Sequence, residues 1–320
     1  MSLLKSVITG VRARPHFVMI YGVDGVGKST FGADAPSPIF LGPEDGLGMI
    51  DAPHFPTPKT WSDVKAAVET LIVEDHDYKT LVIDSIDWIE PLLWAFLIKE
   101  DGCKSIEQVA GGFGKGYVQA REHWQEFIRS LQRLRRKMNI VVVAHCLIKT
   151  TEDPYEGERY DRYLVKMNDK AADLWREAVD CVFFANFQTS FSKEKGARKA
   201  RAQGDGKRVM FTERRPAFDA KNRFDLPFEM ELSWKEFADR AASALPSTTA
   251  DTEDKVSALF KGIEDAAASY LISIEWLEEG QPLETLRAVN RKKILSRPDA
   301  FVEAVKSYAE KATLTPPSND

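Results

Sequence analysis

The stretch FVMIYGVDGVGKS, residues 17–29, decides the fold. Its first half, Phe17–Tyr21, is an unbroken apolar run leading into a glycine-rich turn, which reads as a strand buried on both faces. Its second half, Gly22-Val23-Asp24-Gly25-Val26-Gly27-Lys28-Ser29, satisfies G-x-x-x-x-G-K-[ST] in full and opens a predicted helix. Phosphate chemistry explains the residue types. Glycines let backbone N–H groups turn inward and cradle phosphates, and the helix N-terminus adds partial positive charge. Lys28 reaches the β- and γ-phosphates of ATP, and the Ser29 hydroxyl is a Mg²⁺ ligand. Gly22, Asp24, Gly25, Val26, Gly27, Lys28, Ser29 and Thr30 form the predicted nucleotide-binding set.

Outward from this loop the pattern repeats. Apolar runs at 39–41, 80–83, 140–144, 181–187 and 207–214 read as strands. Between them, 60–74, 86–98, 119–137 and 171–179 read as helices, with Thr60 and Asp63 as a cap pair for the first. Strands that are apolar throughout, alternating with helices, indicate an α/β fold with a mostly parallel sheet covered on both faces. Residues 101–118 read as a glycine-rich loop and 146–169 as polar and irregular. The core extends over 1–245. PSTTADTED, residues 246–254, reads as a linker, 255–313 as a helical module and 314–320 as a disordered tail.

Three strand tips carry candidate chemistry. Asp84 closes the run TLVI and is the expected second Mg²⁺ ligand, while Asp87 reads as a helix cap. Glu44, after IFL, is placed to polarise an attacking water. His145 closes IVVVA, where its side chain can hydrogen-bond a γ-phosphate or that water.

The 320 residues include 44 basic and 49 acidic ones, a net charge of −5. The charge is uneven. Residues 193–223 hold eleven basic residues against four acidic, and 121–137 six against two, while 246–320 hold nine against thirteen. Local basic stripes, not net charge, contact nucleic-acid phosphates. No apolar run approaches the ~20 residues of a membrane span, and the N-terminus lacks an export signal, so a cytoplasmic protein is expected. Cys103, Cys146 and Cys181 read as core thiols.

A phosphate loop, a strand-end glutamate, LVIDS and a strand with a polar tip, in that order, resemble the RecA-like ATPase core over residues 14–235. The stretch Ala220-Lys221-Asn222-Arg223 followed by Leu226-Pro227 resembles the Lys-Asn-Lys run late in RecA. More closely, the chain is similar to phage-encoded RecA-like proteins of the Sak-four single-strand annealing type. The resemblance implies a recombination or annealing ATPase in the bacterial host cytoplasm, with ATP and Mg²⁺ at a subunit interface. Glu44 would be the catalytic carboxylate, and His145 would replace the glutamine that senses the γ-phosphate. Lys221 and Arg223 would reach the neighbouring subunit's nucleotide. Loops 101–118 and 146–169 would bind single-stranded DNA through Phe113, Lys115, Tyr117, Lys149, Arg159, Tyr160 and Lys166, by stacking and backbone contact. With the first strand so near the start, no counterpart of RecA's N-terminal polymerisation module is expected, and a ring is as admissible as a short filament. A single-strand-binding protein is a further expected partner. Two other readings stay open: a small-molecule P-loop kinase, and an annealing module that uses ATP only to assemble.

Overall fold

The computed structural model describes residues 14–42, 50–152, 157–188, 190–192, 201–203, 206–244, 255–286 and 288–313. The chain divides into two compact units, the larger spanning Ala13–Ala244.

The larger unit is built on a sheet whose five central strands run parallel. These are β1 (Phe17–Gly22), β2 (Pro38–Leu41), β3 (Thr80–Ile83), β4 (Asn139–Glu152) and β6 (Cys181–Phe187). Their order across the sheet is β6-β1-β4-β3-β2. Beyond β6, β9 (Arg208–Phe211) and β10 (Glu229–Glu231) add on antiparallel. Both faces are apolar, as the unbroken runs required. Met19, Tyr21, Ile83, Val142 and Phe184 face α2 (Trp61–Val73), α3 (Ile86–Asp101), α4 (Lys115–Leu134) and α5 (Asp169–Ala178). Val18, Ile20, Val82, Val141 and Phe183 face α1 (Lys28–Ala33) and α6 (Trp234–Ala244). In the first layer Trp61, Trp124, Phe127 and Trp175 pack ring on ring, with centroids 5.1 to 6.2 Å apart. Thr60 and Asp63 form the capping box of α2.

Two stretches differ from the sequence reading. Residues 146–169 are not irregular. β4 continues past the sheet for seven residues and pairs antiparallel with β5 (Arg159–Val165) to form a hairpin. Its foot pairs Leu147 with Leu164 and Ile148 with Tyr163, and its outer pairs are polar, Thr150 with Asp161 and Glu152 with Arg159, so the apolar alternation that marks a strand is missing. At the hairpin's foot the Arg162 guanidinium donates to Asp219 at 2.7 Å, and the Tyr21 hydroxyl bonds the Asp219 backbone. In 101–118, a 3₁₀ segment (Ile106–Gly111) precedes α4, which starts at Lys115 rather than 119. A second small hairpin joins β7 (Ser190–Ser192) to β8 (Arg201–Gln203).

The smaller unit contains a helical turn at 255–259 and helices α7 (Glu264–Ser273), α8 (Ala288–Ser296) and α9 (Pro298–Thr313). It has its own core of Val256, Phe260, Leu271, Leu286, Ile294 and Val305. No described helix is long and apolar enough to cross a membrane.

The starts of β1 and β6 are tied by one buried carboxylate. Asp180, 2% exposed, is gripped by Arg135 and bonded by Arg14 at 3.1 Å, with Arg223 at 3.7 Å. It also accepts the Phe17 N–H at 3.4 Å, and Arg135 Nε donates to the Pro15 carbonyl at 2.6 Å. Removing one partner of such a buried pair strands the other charge at a cost of about 3–5 kcal/mol. Asp180→Ala is therefore expected to lose about 3–5 kcal/mol in urea unfolding, and a loss below about 1 kcal/mol would show that the network is dispensable.

Candidate active site

At the C-terminal ends of β1 and β3, beside His145 and Cys146 of β4, lies a cavity of about 690 Å³. The phosphate loop forms one wall. Gly22 is required there by close approach, since a Cβ would sit 2.0 Å from the Ala185 carbonyl oxygen. Gly27 caps α1 with φ +105°, in the region that favours glycine. Lys28 is 5% exposed, and its ammonium donates to the Gly22 and Val23 carbonyls at 3.0 Å each. Burial lowers its pKa, against the opposing pull of Asp24, Asp84 and Asp87.

Ser29, Thr30 and Asp84 line the same cavity. A hydroxyl and a carboxylate are hard oxygen donors of the kind Mg²⁺ takes alongside substrate phosphates. Ser29 and Asp84 would hold that ion, which would neutralise charge on the phosphates. Gly42 makes the position of Asp84 possible, because a Cβ on it would lie 1.6 Å from the Asp84 carbonyl oxygen. Glu44 lies outside the described residues.

His145 sits between these walls because β4 runs between β1 and β3. Its ring Nδ1 is 3.0 Å from Asp87 Oδ2, and its backbone N–H donates to Asp87 Oδ1 at 3.0 Å. A carboxylate at Nδ1 keeps the proton there and turns Nε2 toward the loop, where Asp24 Oδ1 is 3.8 Å away. Asp87 is thus not the helix cap read from its position. It orients His145. Burial would raise its carboxyl, but the hydrogen bonds from His145 outweigh that and hold it below the ordinary carboxylate range.

One turn further along α3, buried Glu90 accepts the backbone N–H of Asn168, the N-cap of α5, at 3.0 Å. Its pKa is pushed up to about 7, mainly by burial. The Asn168 bond opposes that shift and the Asp87 charge adds to it. Sequence reasoning missed Glu90, although its three-residue spacing from Asp87 on one helix was visible.

The remaining expected residues divide. Lys166, expected on the DNA side, lines this cavity, and its backbone N–H donates to the His145 carbonyl at 2.9 Å. Arg208, which no motif marked, lines it from β9. Phe113 is fully exposed on a turn flanked by Gly112 and Gly114, and Lys115 beside it is exposed. Tyr117 is engaged internally, its hydroxyl 2.9 Å from Glu107 and its ring against Trp94. Lys149 pairs with Asp169 and Arg159 with Glu152, while Tyr160 faces Thr151 across the hairpin. Lys221 donates to the carbonyls of Arg176, Glu177 and Val179, closing the C-terminus of α5, and Arg223 lies at Asp180. Neither lines the cavity. The three cysteines are free thiols.

A family described as an AAA domain matches residues 14–224, and the chain belongs to this family of P-loop NTPases. No curated protein matches the chain.

Glu90 gives the site a signature in pH. Its folded pKa lies above its unfolded one, so its contribution to stability is complete below about pH 4.5 and is lost as pH rises through about 7. Glu90→Gln removes this dependence and keeps an acceptor for Asn168. Compared with wild type, the variant is expected to gain up to about 3 kcal/mol in urea unfolding between pH 5 and pH 8. Parallel pH profiles for the two proteins would refute the assignment.

Proposed function

We propose, from membership in the AAA-domain family and the geometry of the cavity, that this chain is a MgATP-hydrolysing enzyme acting in recombination or annealing of single-stranded DNA. The observation that carries the coupling is the continuity of β4. One strand runs through the sheet, presents His145 beside the phosphate loop and continues as the outer hairpin. A shift of His145 when a γ-phosphate is bound or lost is passed directly to Cys146–Glu152 and, through the Lys166 bond, to the exit of β5.

Within this reading each side chain has one task. Lys28 holds the β- and γ-phosphates and stabilises charge as the terminal phosphoryl group leaves. Ser29 and Asp84 supply oxygen ligands to Mg²⁺. Glu44 takes a proton from the attacking water. Asp87 fixes the imidazole of His145 so that Nε2 meets the γ-phosphate or that water. Exposed Phe113, on its glycine-flanked turn beside Lys115, offers a base-stacking platform with a backbone contact. A homo-oligomer, ring or short filament, would line up several such platforms along one strand.

Hydrolysis measured with and without single-stranded DNA tests this. Lys28→Ala is expected to lower kcat/KM about 100-fold or more. Single-stranded DNA should raise the wild-type rate severalfold, and His145→Ala should lose more of this stimulation than of the basal rate. A rate indifferent to DNA, with phosphate passed to a small acceptor instead, would replace the reading with a kinase.

A further inference from the structure

We propose that Arg208 is a phosphate-binding cation of the nucleotide site, supplied by the same chain and contacting the phosphates common to ADP and ATP. The proposal deepens the nucleotide-site reading above and rests on it. Arg208 opens β9, whose register with β6 sets it opposite Phe187, and the Gln188 N–H to Lys207 carbonyl bond at 2.7 Å closes that pair. Val209 and Met210, the next two residues, are buried in the sheet, so the base of the side chain is fixed. From there it reaches over the phosphate loop. A Cβ on Gly27 would stand 3.1 Å from Arg208 Nη1 and 3.5 Å from Leu232 Cδ2, so these two side chains roof the loop glycine.

Charge and chemistry point the same way. Arg208 lines the cavity, and among the described residues its guanidinium has no carboxylate partner. That sets it apart from Arg135, Arg162, Arg176 and Arg223, each of which meets a carboxylate. The backbone around Gly27 is the part of the loop that cradles the α- and β-phosphates. A guanidinium presents a planar fork of N–H donors that matches two phosphate oxygens, and the strand fixes the backbone from which it reaches. Lys28 and Arg208 would then grip the pyrophosphate from opposite sides. The two trans cations implied by the resemblance to RecA are engaged elsewhere in this chain, so a cation in cis takes up part of the charge.

Calorimetric titration of the full-length protein with MgADP and with MgATP tests the assignment, using wild type, Arg208→Ala, Arg208→Gln and Lys28→Ala. Loss of one charge-assisted contact is expected to weaken both nucleotides about tenfold or more in Arg208→Ala. Arg208→Gln, which keeps most of the side chain over Gly27, should show the same loss. Melting of both variants without nucleotide should match wild type. Wild-type ADP affinity in either Arg208 variant, alongside lost binding in Lys28→Ala, would overturn the role of Arg208 and leave the nucleotide site standing. Unchanged binding in Lys28→Ala would overturn the nucleotide site itself.

Discussion

The register between β1 and β4 is the constraint on which the site depends. Gly22 stands opposite His145, and on the other side of β4, Ile83 stands opposite Val142. These pairings bring the start of the phosphate loop, His145 and the tip that bears Asp84 to one edge of the sheet. A slip of one residue would turn His145 to the opposite face and break its bonds to Asp87. The register is held because both faces are buried, so every strand residue has a packing partner that a slip would lose. The same hydrophobic layers that stabilise the fold therefore fix the geometry of the cavity.

Asp87 and Glu90, one turn apart on α3, stand behind that cavity and differ in what their surroundings demand. Asp87 takes two hydrogen bonds from His145 and stays ionised, as it must to hold the imidazole. Glu90 is as deeply buried but receives a single backbone N–H, and its proton is held more tightly. Separated pKa values in neighbouring carboxylates are a common mark of sites in which the two groups have different work. Here one orients the residue beside the loop, and the other ties α3 to the N-cap of α5.

The parts of this arrangement that were legible in the sequence are those defined by contiguous residues. The loop, the five parallel strands and the strand-tip Asp84 and His145 all follow from an apolar run and what ends it. The hairpin was not legible, because its apolar residues cluster at the foot, Leu147 with Leu164 and Ile148 with Tyr163, and its outer pairs are polar, so neither strand carries an alternation. Lys166 and Arg208 were not legible for another reason. Each enters the cavity from a strand far along the chain, and only the antiparallel pairings of β5 with β4 and of β9 with β6 carry them there. Asp87 was read as a cap because its partner lies 58 residues away.

Segment charge shows the limit of counting. The basic excess of residues 193–223 and 121–137 suggested a stripe for nucleic-acid phosphates, but among the described residues several of these cations are already engaged. Arg135 and Arg223 converge on Asp180, and Arg214 joins Arg162 and Arg176 on Asp219. Arg215 lies over Phe228 and pairs with Glu213, and Lys221 is held by three carbonyls. A cation already paired releases little when a phosphate arrives, because the gain is offset by the bond it gives up. The number of basic residues in a segment is therefore an upper bound on the phosphates it can hold. Among the described residues of 121–137, Arg121, Arg129 and Arg136 stay exposed outside any ion pair, while Arg208 and Lys166 line the nucleotide cavity and Lys115 stands near Phe113 on its turn. Position and not number then separates them: the cavity cations stand where a compact, highly charged ligand would be held, and only under the proposed function does the single charge near an exposed ring meet an extended strand.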